Sequence, residues 1–325
     1  MCSVEDGNET VEIKTNSCFL AYCTHKFRGT LGKSKQIKRG EKILIAFSGG
    51  MSSSAMLHMI KEGLKEASHK RLSFNPILLF IDETSIFSTI NDDNEEIYKI
   101  MLDTRFPSYI TRLEMVYHDE KSVFYQSLDA SYFNFINYNK EKKLLMEALD
   151  SFKSLSSKEN FIKNLRYNLI MDIAKNVDCS KIFVGESATL LAIRLLSDLA
   201  QGCGANISDE TVKEFLNKEI AMYNHFLNIP YQVKQTLSTK SDNKASILRL
   251  TENFVVGLQS QFPATVSTIY RIGNKLCADS DKISKNKCIL CQKKKSIKCQ
   301  KYILFGSILT RCGLKAILKN PTEVF

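Results

Sequence analysis

The feature that most constrains the fold of this chain is an alternation of short apolar runs with amphipathic stretches, which begins at residue 41. Apolar runs of strand length predict buried β-strands, and the longer stretches between them have the periodicity of helices. The predicted strands cover residues 43–47, 77–81, 113–117 and 181–184. Continuously apolar strands separated by helices are typical of a parallel sheet. The sequence therefore predicts an α/β fold with a doubly wound parallel sheet.

Periodicity and composition divide the rest of the chain. A length of 325 residues is sufficient to bury a large core. The predicted helices cover residues 53–67, 95–102, 140–152, 158–176, 187–200, 209–227 and 244–262. We predict four regions: a basic N-terminal segment at 1–40, an α/β domain at 41–205, a helical C-terminal region at 206–278, and a tail rich in lysine and cysteine at 279–325.

Positive charge is concentrated in two segments. The chain has a net charge of +10, and residues 26–42 contain seven Lys or Arg against the single acid Glu41. A further eight lysines without an acid lie between Lys282 and Lys301. Such clusters suit a polyanion, since each phosphate that they neutralise releases bound counterions. A solvated surface that serves only solubility remains the alternative for either cluster.

Nothing in the sequence indicates export or a membrane span. The first ten residues are acidic and polar, whereas a secretory signal needs positive charge followed by an apolar core. The longest weakly polar segment, residues 302–318, is interrupted by Arg311 and Lys315. We therefore expect a cytoplasmic protein without membrane contact, whose ten cysteines are reduced thiols or metal ligands.

A serine–glycine–glycine turn follows the first predicted strand, in the stretch KILIAFSGGMSSS at residues 42–54. A strand-to-helix turn in a parallel sheet presents backbone N–H groups and the positive end of a helix dipole, which together favour an anion. The turn matches neither GxxxxGK[ST] nor GxGxxG, because it has no following Lys and no third Gly. It predicts a phosphate site of another kind, with a purely structural tight turn as the alternative.

This turn resembles the loop S-G-G-x-D-S of the PP-loop ATP pyrophosphatase superfamily, whose fold is of the adenine nucleotide alpha hydrolase-like type. Ser52 stands where that family has Asp, and Gly-Glu-Ser at residues 185–187 replaces its GHxxD motif. The resemblance implies a site that binds ATP weakly or through a partner subunit. The nucleotide-binding residues that it implies are Ser48, Gly49, Gly50, Ser53 and Gly185.

Several further stretches resemble the second-subunit family of the cytoplasmic tRNA 2-thiolation complex, the cytosolic thiouridylase subunit 2 family. They are HKFRGTLGK at residues 25–33, GESATLLAIRLLSDLAQG at 185–202, KEIAMYNHFLNIP at 218–230 and LQSQFPATVSTIYRIGNKL at 258–276. The resemblance implies a heterodimer with a catalytic PP-loop subunit. It also implies that the pair replaces the 2-oxygen of a wobble uridine in tRNA by sulfur, which a thiocarboxylated ubiquitin-like carrier supplies.

The cysteine distribution favours a subunit that lacks catalysis of its own. Catalytic relatives place a pair of cysteines after the third strand, whereas here residues 118–178 contain none. Cys179 and Cys203 remain conceivable nucleophiles, although structural thiols are commoner. Two other hypotheses stay open: an autonomous ATP-dependent tRNA-modifying ligase, and a scaffold protein that binds no nucleotide.

The basic run before the first strand and the family resemblance together predict a tRNA-binding surface. Its residues would hold phosphates and position the tRNA without reading its bases. Arg166 is included because it matches an arginine that PP-loop tRNA modifiers place on the helix before the fourth strand. The predicted tRNA-binding residues are Lys33, Lys35, Lys38, Arg39 and Arg166.

Two further contacts are predicted near the C-terminal end. Cys288 and Cys291 form a CxxC half-site for zinc, and a complete tetrahedral ligand set is not legible in the sequence. Near the N-terminus only Cys18 fits the CxxC pairs with which the family opens, so we expect that zinc site to be absent.

One helical face is predicted to bind the partner, unless it packs on its own domain. It contains Phe262, Val266, Ile269 and Tyr270.

Overall fold

The fold is built on a five-stranded sheet. The computed structural model describes residues 16–34, 37–65, 71–87, 94–118, 126–127, 139–201, 215–239 and 241–275. The strands are β1 (Lys42–Ala46), β2 (Asn75–Asp82), β3 (Ser108–Arg112), β4 (Gln126–Ser127) and β5 (Lys181–Val184). Their order is β4-β3-β2-β1-β5, with β4 antiparallel to β3 and the other neighbours parallel. The predicted α/β class and parallel sheet are confirmed.

Helices cover both faces of this sheet and extend beyond it. They are α1 (Asn16–Ser34), α2 (Met51–Lys65), α3 (Glu95–Thr104), α4 (Asn139–Ser151), α5 (Leu155–Asn176), α6 (Ala188–Ala200), α7 (Asn217–Leu227), α8 (Ile247–Gln261) and α9 (Thr265–Lys275). Within the described ranges, none of these helices is long and apolar enough to cross a membrane.

The side chains of β1 show why the sheet is doubly wound. Ile43 and Ile45 belong to an apolar cluster that includes residues of α1, α2 and α7, whereas Leu44 packs in a second cluster with residues of α5. Successive strand residues point to opposite faces, so a strand that is apolar at every position needs helices on both sides. All three of these side chains are fully buried.

Helix α1 belongs to the core of the α/β domain. Phe19, Cys23 and Phe27 recur every four residues and are buried in the same cluster as β1. Lys26 of α1 forms an ion pair of 2.8 Å with Glu219 of α7. Burial would lower the pKa of Lys26, but the hydrogen bond and charge of Glu219 outweigh that effect and raise it. Part of the predicted N-terminal segment is therefore integral to the domain.

The prediction of a third strand at residues 113–117 is wrong. Those residues form a 3-10 helix, and the strand is the preceding β3, whose last residue Arg112 is in register with Asp82 of β2. Leu113 is buried in a cluster with residues of α4 and α5. The apolar run is thus explained by helix packing, which a short run cannot distinguish from a buried strand.

The predicted partner-binding face in α9 packs on its own domain, which corrects that prediction. Val266 is fully buried against Ala192 of α6 and Val255 of α8, and Ile269 packs against the same cluster. Ile272, three residues after Ile269 in α9, is 54% exposed. Phe262, which was predicted to share this face, precedes α9 and is 61% exposed. Within α9, Val266 and Ile269 mark the side of the helix that closes the core.

Replacing Val266 by Asp is expected to destabilise the fold. The carboxylate would be buried without a partner, so the free energy of unfolding should fall by at least about 3 kcal/mol. Ile272→Asp makes the same chemical change on the exposed side of α9 and should alter it by less than about 0.5 kcal/mol. Denaturant unfolding of both variants measures the difference, and equal stabilities would show that Val266 lies outside the core.

Candidate functional site

The sheet changes winding direction between β1 and β5, which are neighbours in space but far apart in sequence. Loops that follow the carboxyl ends of two such strands diverge and leave a crevice between them, where ligands bind in doubly wound folds. The Ser48–Gly50 turn follows β1, and Gly185 follows β5. The structure therefore brings together all five predicted nucleotide-binding residues.

Two glycines make this close approach possible. Gly49 has a φ of +75°, and a Cβ there would lie 2.5 Å from Cδ1 of Ile97. A Cβ on Gly185 would lie 2.6 Å from the backbone Cα of Ser53, in the first turn of α2. A flexible side chain can yield to such a contact, whereas the backbone of a helix cannot. Gly185 is therefore required to bring the end of β5 against α2.

The serine hydroxyl groups of the turn bond to one another. Ser53 Oγ donates to the carbonyl oxygen of Gly50 at 2.9 Å and lies 3.0 Å from Ser48 Oγ. Because the single hydroxyl proton of Ser53 is used in the first bond, Ser48 is the donor in the second. The N–H of Gly50 donates to Ser48 Oγ at 3.4 Å. This closed set of bonds fixes the turn in front of α2.

The first turn of α2 offers backbone donors but no carboxylate. The leading N–H groups of a helix have no intrahelical acceptor, so they attract an anion together with the helix dipole. No acidic residue lies in this first turn, where Ser52 replaces the Asp of the PP-loop motif. The donor set fits a phosphate group, but it lacks the carboxylate that would help to hold magnesium.

The residues after Gly185 are engaged in structural bonds. Ser187 accepts a hydrogen bond of 3.1 Å from the N–H of Leu190 and so caps the N-terminus of α6. Glu186 forms an ion pair with Arg194, which lies in α6. The altered motif thus contributes a helix cap and an ion pair, and its glycine lies against Ser53 in the first turn of α2.

A segment after α7 holds the turn from the outside, which the sequence did not predict. The N–H of Gln232 donates to the carbonyl oxygen of Gly49 at 2.8 Å. The side-chain amide of Asn224, in α7, donates to the carbonyl oxygen of Met51 at 2.9 Å. The helical C-terminal region is thus hydrogen-bonded directly to the candidate nucleotide loop. The sequence did not predict these hydrogen bonds, because single polar residues in a helical pattern do not indicate their partners.

A cluster of carboxylates and arginines lies next to the loop, at the carboxyl ends of β2 and β3. Asp82 and Glu114 are almost fully buried, and Arg112 lies 3.9 Å from both carboxylates. Asp82 also accepts a bond from the N–H of Thr84, and Glu114 accepts one from the hydroxyl of Ser85. Buried carboxylates held this way are compensated by the cation and by hydrogen bonds.

Arg166 of α5 is held at this same edge of the sheet. Its Nε and Nη2 donate to the two oxygens of Glu83 at 2.5 Å and 2.8 Å, a bidentate pair. Burial would lower the pKa of Arg166, but Glu83 outweighs it and raises that pKa, so the guanidinium stays charged. The predicted tRNA-binding arginine therefore forms an ion pair with Glu83, the residue that follows β2.

The basic run lies at the opposite edge. Lys38 and Arg39 precede β1, whereas the loop follows it, so the five residues of β1 separate them by roughly 16 Å. Glu41 fixes this turn: Lys181, Ser180 and the N–H of Lys38 donate to it and lower its pKa to about 2. The structure therefore separates Arg166 from the basic run.

Two other predicted residues of the basic run are only partly described. Lys33 lies in α1, but its side chain is outside the described part, as is all of Lys35. The predicted zinc half-site of Cys288 and Cys291 and the conceivable nucleophile Cys203 also fall outside the described ranges.

The described cysteines do not form a ligand cluster. Cys18 and Cys23 are on α1, the first exposed and the second fully buried, and Cys179 precedes β5. Burial raises the pKa of the Cys179 thiol, which disfavours a reactive thiolate. Across the described ranges, no three His, Cys, Asp or Glu side chains are grouped as metal ligands.

The parallel sheet, its switch point and the Ser48–Gly50 turn define a member of the PP-loop class of α/β proteins. A family model described as cytoplasmic tRNA 2-thiolation protein 2 matches residues 246–304. Relatives of that name are 33% identical in Danio rerio, over 85% of this chain and 67% of theirs, and 32% identical in Homo sapiens, over 80% and 62%. The chain belongs to the cytoplasmic tRNA 2-thiolation protein 2 family and spans about two thirds of the length of these relatives.

A solved structure shares the fold. The U34-tRNA thiolase NcsA from Methanococcus maripaludis, described with its [4Fe-4S] cluster, aligns with a TM-score of 0.61. The alignment covers 89% of this chain and 92% of that one at 15% identity. At this identity the likeness concerns the fold. The described cysteines of this chain do not fit such a cluster, because they are divided between α1 and the start of β5.

Proposed function

We propose that this chain is the tRNA-binding and partner-binding subunit of the cytoplasmic complex that 2-thiolates the wobble uridine of tRNA. Its partner is a catalytic PP-loop subunit, which uses ATP to activate the uridine and receives sulfur from a thiocarboxylated ubiquitin-like carrier. The observation that carries the proposal is 33% identity, over 85% of the chain, to a relative named for tRNA 2-thiolation.

The chemistry of the described residues supports a subunit without catalysis of its own. Sulfur transfer needs a thiolate, and thiolates form where a neighbouring positive charge or a helix N-terminus lowers the thiol pKa. Burial instead raises the pKa of Cys179, which lies at the edge of the sheet opposite to the loop. These features favour a tRNA-binding subunit over an autonomous tRNA-modifying ligase.

An adenine nucleotide fits the loop through backbone donors alone. The turn at Ser48–Gly50, the first turn of α2 and the close approach of Gly185 would hold phosphate oxygens. When bound, ATP supplies the activation of an oxygen as a leaving group. Because Ser52 offers no carboxylate, we expect this chain to bind ATP weakly and to leave its turnover to the partner.

The partner is proposed to bind the exposed apolar side of α8. Leu250 and Phe254 are four residues apart on α8, and Phe262 follows its last turn; each is more than half exposed. Large exposed apolar residues that are close together are typical of protein–protein interfaces. This surface keeps Phe262 of the predicted partner face without Val266 and Ile269, which pack on the domain, and it lies inside the segment matched by the family model.

The tRNA is proposed to contact the basic run at the amino edge of the sheet. Lys38 and Arg39 lie in the turn that Glu41 fixes, and Lys33 and Lys35 precede them in sequence. Ammonium and guanidinium groups there would hold phosphates without reading bases, which leaves the choice of base to the partner's site. Arg166 can take part only if it also contacts phosphate while paired with Glu83.

Depletion and rescue in cells test the proposed function. Depletion of the protein should lower the 2-thiouridine content of bulk tRNA, measured by mass spectrometry of nucleosides, and the unsubstituted chain should restore it. A variant with Ser at Lys33, Lys35, Lys38 and Arg39 should restore less, because phosphate contacts are lost. It must still accumulate and co-purify with the partner. Unchanged 2-thiouridine after depletion would contradict the proposal.

Ser52→Asp tests whether the loop is a phosphate site that lacks only its acid. The new carboxylate should help to hold magnesium and raise the affinity for ATP about tenfold, or about 1.4 kcal/mol. Ser52→Asn has the same shape without the charge and should keep weak, magnesium-independent binding. Isothermal titration with and without magnesium measures both variants. If the two bind ATP equally, the missing carboxylate is not what weakens the site.

A further inference from the structure

A basic cavity lies at the amino edge of the sheet, at the opposite end of the strands from the loop. Its volume is about 780 Å³, which is within the range of roughly 300–1,000 Å³ that is usual for ligand sites. One wall is a face of α1, and the other consists of Ile37 and residues 71–74, which precede β1 and β2. The cavity is not part of the nucleotide crevice.

The basic residues that line the cavity indicate an anionic ligand. His25 and Arg28 of α1 and Arg71 on the opposite wall are all among the lining residues, and none of the described residues that line it is Asp or Glu. The exposed residues Lys38 and Arg39 follow Ile37 directly, so the positive surface continues past the cavity along the same edge. An extended polyanion would neutralise this whole surface, whereas a single small anion would neutralise only part of it.

Two glycines in α1 give a second, independent indication. Gly29, in the interior of α1, and Gly32, in its last turn, line the cavity, and a Cβ added at either would meet no atom of the described residues within 4 Å. Glycine at a helical position is less favourable than alanine, and the packing of the described residues requires neither glycine. Residues without side chains let another backbone approach closely, so their place in this wall is explained by a ligand that lies against α1.

We propose that this cavity is the groove in which the sugar–phosphate backbone of tRNA docks against α1. The inference rests on the proposed function and adds where and how the tRNA binds. Gly29 and Gly32 let the RNA strand approach α1, while His25, Arg28 and Arg71 contact its phosphates. The strand is then held at the edge of the sheet opposite to this chain's own nucleotide loop.

Alanine at both Gly29 and Gly32 tests the groove in the full chain complexed with its partner. The two methyl groups should weaken the binding of total tRNA at least tenfold, because they occupy the approach of the strand. The same change should raise the Tm of the protein by about 3 °C, because alanine favours the helix. A variant that is more stable and binds more weakly is not expected from a damaged fold.

Gly257→Ala is the matched control. Gly257 lies in the interior of α8, where an added Cβ also meets no atom of the described residues within 4 Å, so its replacement should raise Tm. Because α8 carries the proposed partner surface, the tRNA affinity of this variant is compared in complexes that still co-purify with the partner, where it should be unchanged. Unchanged tRNA affinity of the Gly29→Ala/Gly32→Ala complex would overturn the groove. A fall in its Tm would also overturn it, since the glycines would then serve the fold.

A charge variant separates the groove from the proposed function. Arg71→Gln should lower the log–log salt dependence of tRNA binding by about one unit, whereas Lys143→Gln on the distant helix α4 should leave it unchanged. If the unsubstituted complex binds no tRNA, the proposed function fails and the groove fails with it. If it binds tRNA and Arg71→Gln matches Lys143→Gln, the groove alone is overturned.

Discussion

The approach of Gly185 to the first turn of α2 is the contact on which the rest of the structure depends. A Cβ there would lie 2.6 Å from the Cα of Ser53, so the residue after β5 can reach the first turn of α2 only as a glycine. This contact fixes the crevice at the switch point and aligns the Ser48–Gly50 turn with the helix dipole. The bonds from α7 and Gln232 then secure the same turn from outside.

The two edges of the sheet have different chemistry. At the carboxyl edge, the buried Asp82 and Glu114 are paired with Arg112, and the partly exposed Glu83 is paired with Arg166, near a loop without an acid in the first turn of α2. At the amino edge, basic side chains line a cavity that has no acidic lining residue among the described ones. A parallel sheet fixes this separation, because all the strand ends of one kind lie on the same side. This separation of the two edges supports the proposed function, in which this chain binds tRNA and a partner performs the chemistry.

The sequence predicted the features that depend on local pattern. β5 was predicted with its observed bounds, and the Ser-Gly-Gly turn was placed correctly between β1 and α2. It failed where the outcome depended on distant residues: residues 113–117 pack on α4 and α5, and Val266 closes the core against α6. The pairing of Arg166 with Glu83 and the open space at Gly29 likewise depend on residues that are distant in sequence.

Hydrogen–deuterium exchange of the proposed complex, with and without saturating tRNA, tests most directly whether tRNA binds at the amino edge of the sheet, as proposed. The account predicts that tRNA slows exchange in the amides of α1 and of residues 37–40 and 71–74, because these form the amino edge. Exchange in the Ser48–Ser53 loop should not change. Protection of the loop together with unaltered exchange at the amino edge would contradict the account.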